Sequence, residues 1–218
     1  MIKIIYEDNH LLAVEKPVNM LVQEDNTKDK SLLTELKEYL KEKYQKPGNV
    51  YLGLVHRLDR PVGGVMVFAK TSKCASRLSN QIRENQFEKE YLAVIEGKIN
   101  PFEGRLVDNL KKDEKTNMVK VVKDGKKSSL TYKTISSVDN LSLIDIILET
   151  GRSHQIRVQF SSRKHPLYGD HRYNPNVDEH SQIALWSYKL SFYHPVTKEK
   201  LTFTSYPPKE YPWNLFNI

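Results

Sequence analysis

Residues 64–70, GVMVFAK, are apolar without a break from Val65 to Ala69. A strand with one wet face alternates apolar and polar side chains, so an unbroken run this short is a strand covered on both faces. Such a strand lies in the middle of a sheet, and the rest of the chain must supply its neighbours and its cover. Pro61, Gly63 and Gly64 stand just before it and mark a turn that leads into it.

The neighbours are readable. IKIIYEDNHLLAVEKP, near the start, has apolar residues on both sides of Glu7, Asp8 and Asn9, which predicts two short strands around a polar turn. KPVNM then bends the chain, with Asn19 suited to a left-handed conformation. SLLTELKEYLKEKY places Leu32, Leu33, Leu36, Tyr39 and Leu40 on one helical face behind a Ser31 cap, its lysines forming the solvated side. TSKCASRLSNQIRENQ reads as a second helix, with Cys74 as a small buried thiol. FEKEYLAVIEGKI reads as a strand with Phe87, Lys89, Tyr91 and Ala93 on one face. Further strands follow in SSLTYKTISSV and LSLIDIILET, and a third helix in HQIRVQFSS, capped by Ser153. ALWSYKLSFYHP and KLTFTSYPP form a closing pair of strands. The tract NLKKDEKTNMVKVVKDGKKSS is strongly polar and reads as a surface excursion with Asp124-Gly125 as a hairpin turn.

Many strands joined by short turns, with a few helices between them, predict an α+β domain around a mixed, largely antiparallel sheet. No repeat or low-complexity linker argues for a second domain, so residues 1–218 are read as one. The single cysteine excludes an intrachain disulfide, and neither a signal-peptide core nor a membrane-length apolar stretch occurs. These features predict a soluble protein of the reducing cytoplasm. A net charge of +7 points to a polyanionic partner such as nucleic acid.

For chemistry, most standard arrangements are missing. His154, His165 and His171 lie close in sequence, but there is no paired-cysteine or HExxH spacing for zinc. GxxxxGK[ST], GxGxxG and GxSxG do not occur, which leaves no signal for a nucleotide cofactor or a serine nucleophile. What stands out is Asp59 in LVHRLDRPVGG. In an extended chain Val55, Arg57 and Asp59 point one way, so an acid and a cation open onto one cleft. The same residues also suit a plain turn, with Asp59 bonding its own backbone ahead of Pro61. In TGRSHQIRVQF, Arg152 and Arg157 flank a strand-to-helix junction of the kind that binds anions, or lie on a solvated helix.

Taken together these motifs resemble those of the RluA-type pseudouridine synthases, which isomerise uridine in ribosomal and transfer RNA. The resemblance rests on HRLDR (56–60) with Gly64 and a strand ending in AKT, KEYLAVIEG (89–97), LETGRSHQIRVQ (148–159), HPLYGDHRY (165–173) and HPVTKEKLTF (194–203). It implies a catalytic domain built on a large, mixed, bent sheet with flanking helices, without the S4 RNA-binding domain that many relatives carry, and a monomer that needs no cofactor or metal. Asp59 then resembles the family's catalytic aspartate, Tyr91 its active-site tyrosine and Arg157 the arginine that pairs with the aspartate. Arg57 resembles the arginine that displaces the target base, and His56, Arg60, Arg152, His154 and Gln155 join it as RNA-binding residues. The chain departs from the family where Thr-Ser-Gly is replaced by Val62-Gly63-Gly64, where Gln159 stands in place of a histidine, and where KPAG becomes KPVN. Two other readings share some of these features: a noncatalytic RNA-binding protein, which needs no Asp59, and a glycoside hydrolase, which needs paired carboxylates.

Overall fold

In the computed structural model the apolar run forms β4 (Gly63–Ala69), and all seven of its residues are buried. The structure describes residues 2–27 and 29–218. It divides into two units, Met1–Glu88 with Ser187–Ser205, and Lys89–Trp186 with Tyr206–Ile218. The expected α+β class holds, and no helix among the described residues is long and apolar enough to cross a membrane.

In the first unit β1 (Lys3–Glu7) pairs antiparallel with β2 (Leu11–Lys16), and β2 with β4. Asp8 makes the β1–β2 turn by accepting from the amides of His10 and Leu11 at 2.7 and 2.6 Å. The two-residue β3 (Gly53–Leu54) also pairs with β4. On the other side of β4 lies β10 (Leu185–Tyr193), of which residues 187–193 belong to this unit, and β11 (Lys200–Thr204) pairs with β10. Leu11, Ala13, Val65, Val67 and Ala69 face one way and pack with Phe87, Leu190, Phe192 and Phe203. The rings of Phe87 and Phe192 stack with centroids 4.8 Å apart. Helix α2 (Ser72–Arg83), capped by Thr71, adds Cys74 and Leu78, one turn apart, to the same cluster. Leu12, Val14, Met66 and Phe68, which point the other way, are equally buried, so β4 is covered on both faces as its unbroken apolar run requires.

Helix α1 (Leu32–Lys43) is capped by Ser31, which accepts from the Thr34 amide. Its buried stripe is Leu32, Leu36 and Leu40, one residue per turn. Leu33 and Tyr39 are only half-buried, and Tyr39 uses its hydroxyl to donate to Glu7 at 2.8 Å.

In the second unit β5 (Glu88–Glu96, of which residues 89–96 belong to this unit), β9 (Leu141–Leu148), β8 (Lys126–Val138), β6 (Glu103–Lys112) and β7 (Val119–Val121) follow one another in that spatial order with antiparallel pairings. The polar tract expected as a surface excursion is thus part of the sheet. The end of β6, all of β7 and the start of β8 run through it. Leu110 and Val119, its inward residues, bury themselves against Val158, and each contributes about 1.5–3 kcal/mol by leaving water. The strand period is hidden in the sequence because the alternate positions, facing solvent, are nearly all lysine. Helix α3 (Gln155–Ser161) begins one residue later than a Ser153 cap requires: its N-cap is His154, left-handed at φ 51° and without a side-chain cap bond. Ser153 cannot cap it because it lies outside the position whose side chain reaches the first helical amides.

Candidate active site

The segment carrying Asp59 leaves sheet pairing after Leu54, and strict alternation ends there. Val55 packs on the first unit's core and the His56 ring lies 5.5 Å from Phe87, so both face inward, while Arg57 is exposed and Leu58 buried. His56 is tied to β4, its Nε2 accepting from the Val67 amide at 3.1 Å. Asp59 is half-buried and opens a turn closed by Val62 N–H donating to its carbonyl at 3.0 Å. The turn is thus made by backbone. Gly64, where the chain enters β4, has φ +117°, and a Cβ there would come within 2.2 Å of the Ser187 carbonyl oxygen. Only glycine fits.

What holds this turn is Lys16, at the end of β2, fully buried. Its ammonium donates to the carbonyls of Pro17, Arg60 and Val62 at 2.8, 2.9 and 2.8 Å, using all three of its protons. Burial pushes its pKa down to about 7, against the pull of the Asp59 charge, and the Arg60 charge adds to the lowering. Sequence reasoning missed this residue, treating KPVNM as a bend. The available signal was a lysine closing a strand that is apolar from Leu11 to Val14. Arg60 turns away to Asn19, whose φ of 61° is the expected left-handed one, and to Asp29 at 2.7 Å.

In the second unit Tyr91 lies on β5 opposite Ile146 of β9 and is buried to 6 % exposure. Lys89, two residues before it on the same strand face, is half-buried, and burial lowers its pKa. Arg157, on α3, is 3 % exposed. Asp170 holds one edge of its guanidinium, accepting from Nε at 2.8 Å and from Nη2 at 2.6 Å. The Tyr173 ring lies 5.3 Å from the same guanidinium. Asp170 is fully buried and was missed, although it stands in the HPLYGDHRY motif. A two-pronged carboxylate of this kind fixes an arginine's plane as well as its charge.

Loop 150–154 is held from within. Gln155 accepts from Thr150 Oγ1 and the Arg152 amide at 2.8 and 3.0 Å and donates to the Ser129 carbonyl at 3.0 Å. Arg152 is exposed, with Nε donating to the Lys127 carbonyl at 3.3 Å. His154 meets the Tyr173 hydroxyl through Nδ1 at 2.7 Å. Gln159, where the family motif has histidine, is fully buried and donates to Asp108 at 2.7 Å, and Arg163 grips the same carboxylate. The replacement's amide nitrogen therefore joins an internal network with Asp108 and Arg163, while its Oε1 is buried without a hydrogen-bond partner among the described residues.

Comparison with known proteins places these residues in context. Residues 10–162 match the family model of RNA pseudouridylate synthase. The chain is 32% identical over 96% of its length to ribosomal large subunit pseudouridine synthase D of Zymomonas mobilis, covering 70% of that protein. It is 33% identical over 94% of its length to tRNA pseudouridine synthase C of Yersinia pestis, covering 86% of it. Against ribosomal large subunit pseudouridine synthase D of Neisseria meningitidis serogroup B the identity is 35%, and the chain spans 58% of that relative's length. Among solved structures, human RNA pseudouridylate synthase domain containing 4 shares the fold at a TM-score of 0.79 and 21% identity, over 95% of this chain and 89% of that one. With the match running through HRLDR, KEYLAVIEG and GRSHQIRVQ, the chain belongs to the RNA pseudouridylate synthase family.

Proposed function

We propose that the chain isomerises uridine to pseudouridine in structured RNA, ribosomal or transfer, with Asp59 as the essential carboxylate. The observation that carries this reading is the family match over residues 10–162, which contains Asp59, Tyr91 and Arg157 within their motifs.

The reaction conserves atoms. The bond from sugar C1′ to uracil N1 breaks, the base turns, a bond from C1′ to C5 forms, the C5 proton leaves and N1 gains one. No electron or phosphoryl donor enters, so the residues need only extract, hold and deprotonate the base. Extrusion of a stacked uridine costs a few kcal/mol, and Arg57, exposed next to Asp59, is assigned to filling the vacated place. Asp59 acts as the nucleophile or as the charge that stabilises the sugar cation. The hydrogen-bonded turn under it supports this role, since a carboxylate on a pinned backbone is pre-aimed. Tyr91 offers its ring for stacking on the flipped uracil. Arg157, oriented by Asp170, is the cation assigned to Asp59. Arg60, Arg152 and His154 complete the RNA contacts, while His56 and Gln155 keep those contacts in place through their bonds to β4 and to loop 150–154. Both units serve one catalytic domain, acting as a monomer in the cytoplasm.

Tritium at uracil C5 reports the reaction, because C5–H is broken only when the base is reattached. Asp59→Asn preserves shape and removes the charge, and it is expected to abolish tritium release from C5-labelled RNA while RNA binding persists. Release at the wild-type rate would overturn the assignment.

A further inference from the structure

The polar tract that the proposed chemistry leaves unused carries its own message. Residues 109–128 contain seven lysines against three carboxylates, a net +4, so more than half of the chain's net charge of +7 lies in this short stretch. Its strand register decides where that charge goes. Lys111 of β6 stands directly opposite Lys120 of β7, and Asn109 directly opposite Lys127 of β8. Side chains opposite one another, and those two residues apart on one strand, share a face, so Lys111, Lys120 and Lys127 project together. The other face is the one that buries Leu110 and Val119 against Val158, which leaves the lysine face outward.

Like charges placed directly opposite oppose strand pairing. Asp124 reaches Lys111 at 2.8 Å, but both side chains are mostly exposed, at 61% and 73%, and such a pair relieves little. A face of this kind is unfavourable alone and is relieved by an external polyanion. The two lysine rows are two residues apart, about 6.8 Å at ~3.4 Å per residue, close to the separation of successive phosphates along an RNA strand.

The hairpin is also firmly seated on the segments assigned to the site. The Val119 amide donates to the Tyr173 hydroxyl at 2.9 Å, and that hydroxyl meets His154 Nδ1 at 2.7 Å. The same ring lies beside the Arg157 guanidinium. The Lys127 carbonyl accepts from Arg152 Nε.

We propose that the β6–β7–β8 hairpin is an RNA-backbone-binding arm, in which Lys111, Lys120 and Lys127 take successive phosphates outside the target nucleotide. The arm rests on the reading of the substrate as RNA. It reads charge rather than sequence, since lysines contact phosphates as point charges and carry no base code.

The test is the triple variant Lys111→Gln/Lys120→Gln/Lys127→Gln beside Lys41→Gln/Lys46→Gln/Lys209→Gln, which removes the same charge elsewhere. Binding to a uridine-containing RNA stem-loop is measured against salt concentration, and turnover by tritium release. With about 0.7–0.9 of log-log salt slope per phosphate contact, the arm variant is expected to lose a slope of ~2 to 3 and to bind on the order of tenfold or more weaker at 0.1 M salt. Its KM rises and its kcat at saturating RNA stays unchanged, while the control triple keeps most of its affinity and slope. A normal melting temperature for both excludes misfolding. An unchanged slope in the arm variant, or an equal loss in the control, overturns the arm. Because binding is read apart from turnover, a wild-type chain that releases no tritium but loses slope in the arm variant retains the arm and overturns the isomerase reading alone.

Discussion

Replacing Lys16 by Met tests how the turn that begins at Asp59 is held. The methionine fills most of the same volume but removes three charge-assisted hydrogen bonds to the carbonyls of Pro17, Arg60 and Val62. Bonds to a charged group contribute about 1.5–3 kcal/mol each, and buried carbonyls left unpaired cost ~1–3 kcal/mol each. Against this, the variant no longer buries a charge, which returns several kcal/mol. The expected net loss is about 3 kcal/mol, a fall in Tm of roughly 6–12 °C for a chain of this size. Tritium release falls further than stability does, because the turn that presents Asp59 loses its anchor. The pH dependence gives the sharper signature. The folded pKa of Lys16 is lowered from 10.5 to about 7, so between these values the unfolded chain binds one more proton than the folded one. Stability then rises with pH across that window, by up to ~1.4 kcal/mol per unit. Below pH 7 both states are protonated and the group adds no slope. The variant lacks this group, so the gap in stability between wild type and Lys16→Met widens from pH 7 to pH 9. Urea unfolding at several pH values measures it. A gap that stays constant, or closes, refutes the account of Lys16 as a buried amine that gives up its proton near neutrality.

Asp170→Asn leaves the Arg157 guanidinium buried without its carboxylate, and the urea midpoint is expected to drop by the equivalent of about 3–5 kcal/mol. An unchanged midpoint would show that the pair contributes nothing to the second unit. Two glycines with positive φ separate strain from crowding: Gly64→Ala drives a methyl into the Ser187 backbone and is expected to prevent folding, whereas Gly48→Ala, at φ +81° with nothing within 4 Å, costs only about 1–2 kcal/mol. Equal thermal melts for the two variants would contradict the close approach of β4 and β10.

Local chemistry explains why much of the fold could be read before any coordinates. The β1–β2 turn, the Ser31 cap, the left-handed Asn19 and the two-sided burial of β4 depend on residues close together in the chain. The pairing within 109–128 was obscured because Lys111, Lys120 and Lys127 stand at outward positions, where they hide the inward Leu110 and Val119 without altering the backbone pairing. Ser153 failed as a cap for a related reason: Gln155, not Ser153, ties the loop together, and a glutamine two positions away gives no capping signature.

The candidate site divides in the same way. Asp59, Tyr91 and Arg157 stand in motifs that are complete in the sequence, so their identities and the family they imply follow from order and spacing alone. The partners that orient them do not. Lys16 is 44 residues from the Arg60 carbonyl it holds, Asp170 is 13 residues from Arg157, and Tyr173 joins β7 to His154 across two chain segments. A buried ammonium or carboxylate is tolerated only where folding supplies its hydrogen bonds, and those bonds come from residues that no local pattern brings together. The sequence by itself determined the central strands, the Ser31 cap and the motifs that carry the proposed reacting groups; tertiary structure alone decided which buried charges support those motifs, because a buried charge persists only where the fold supplies its hydrogen bonds.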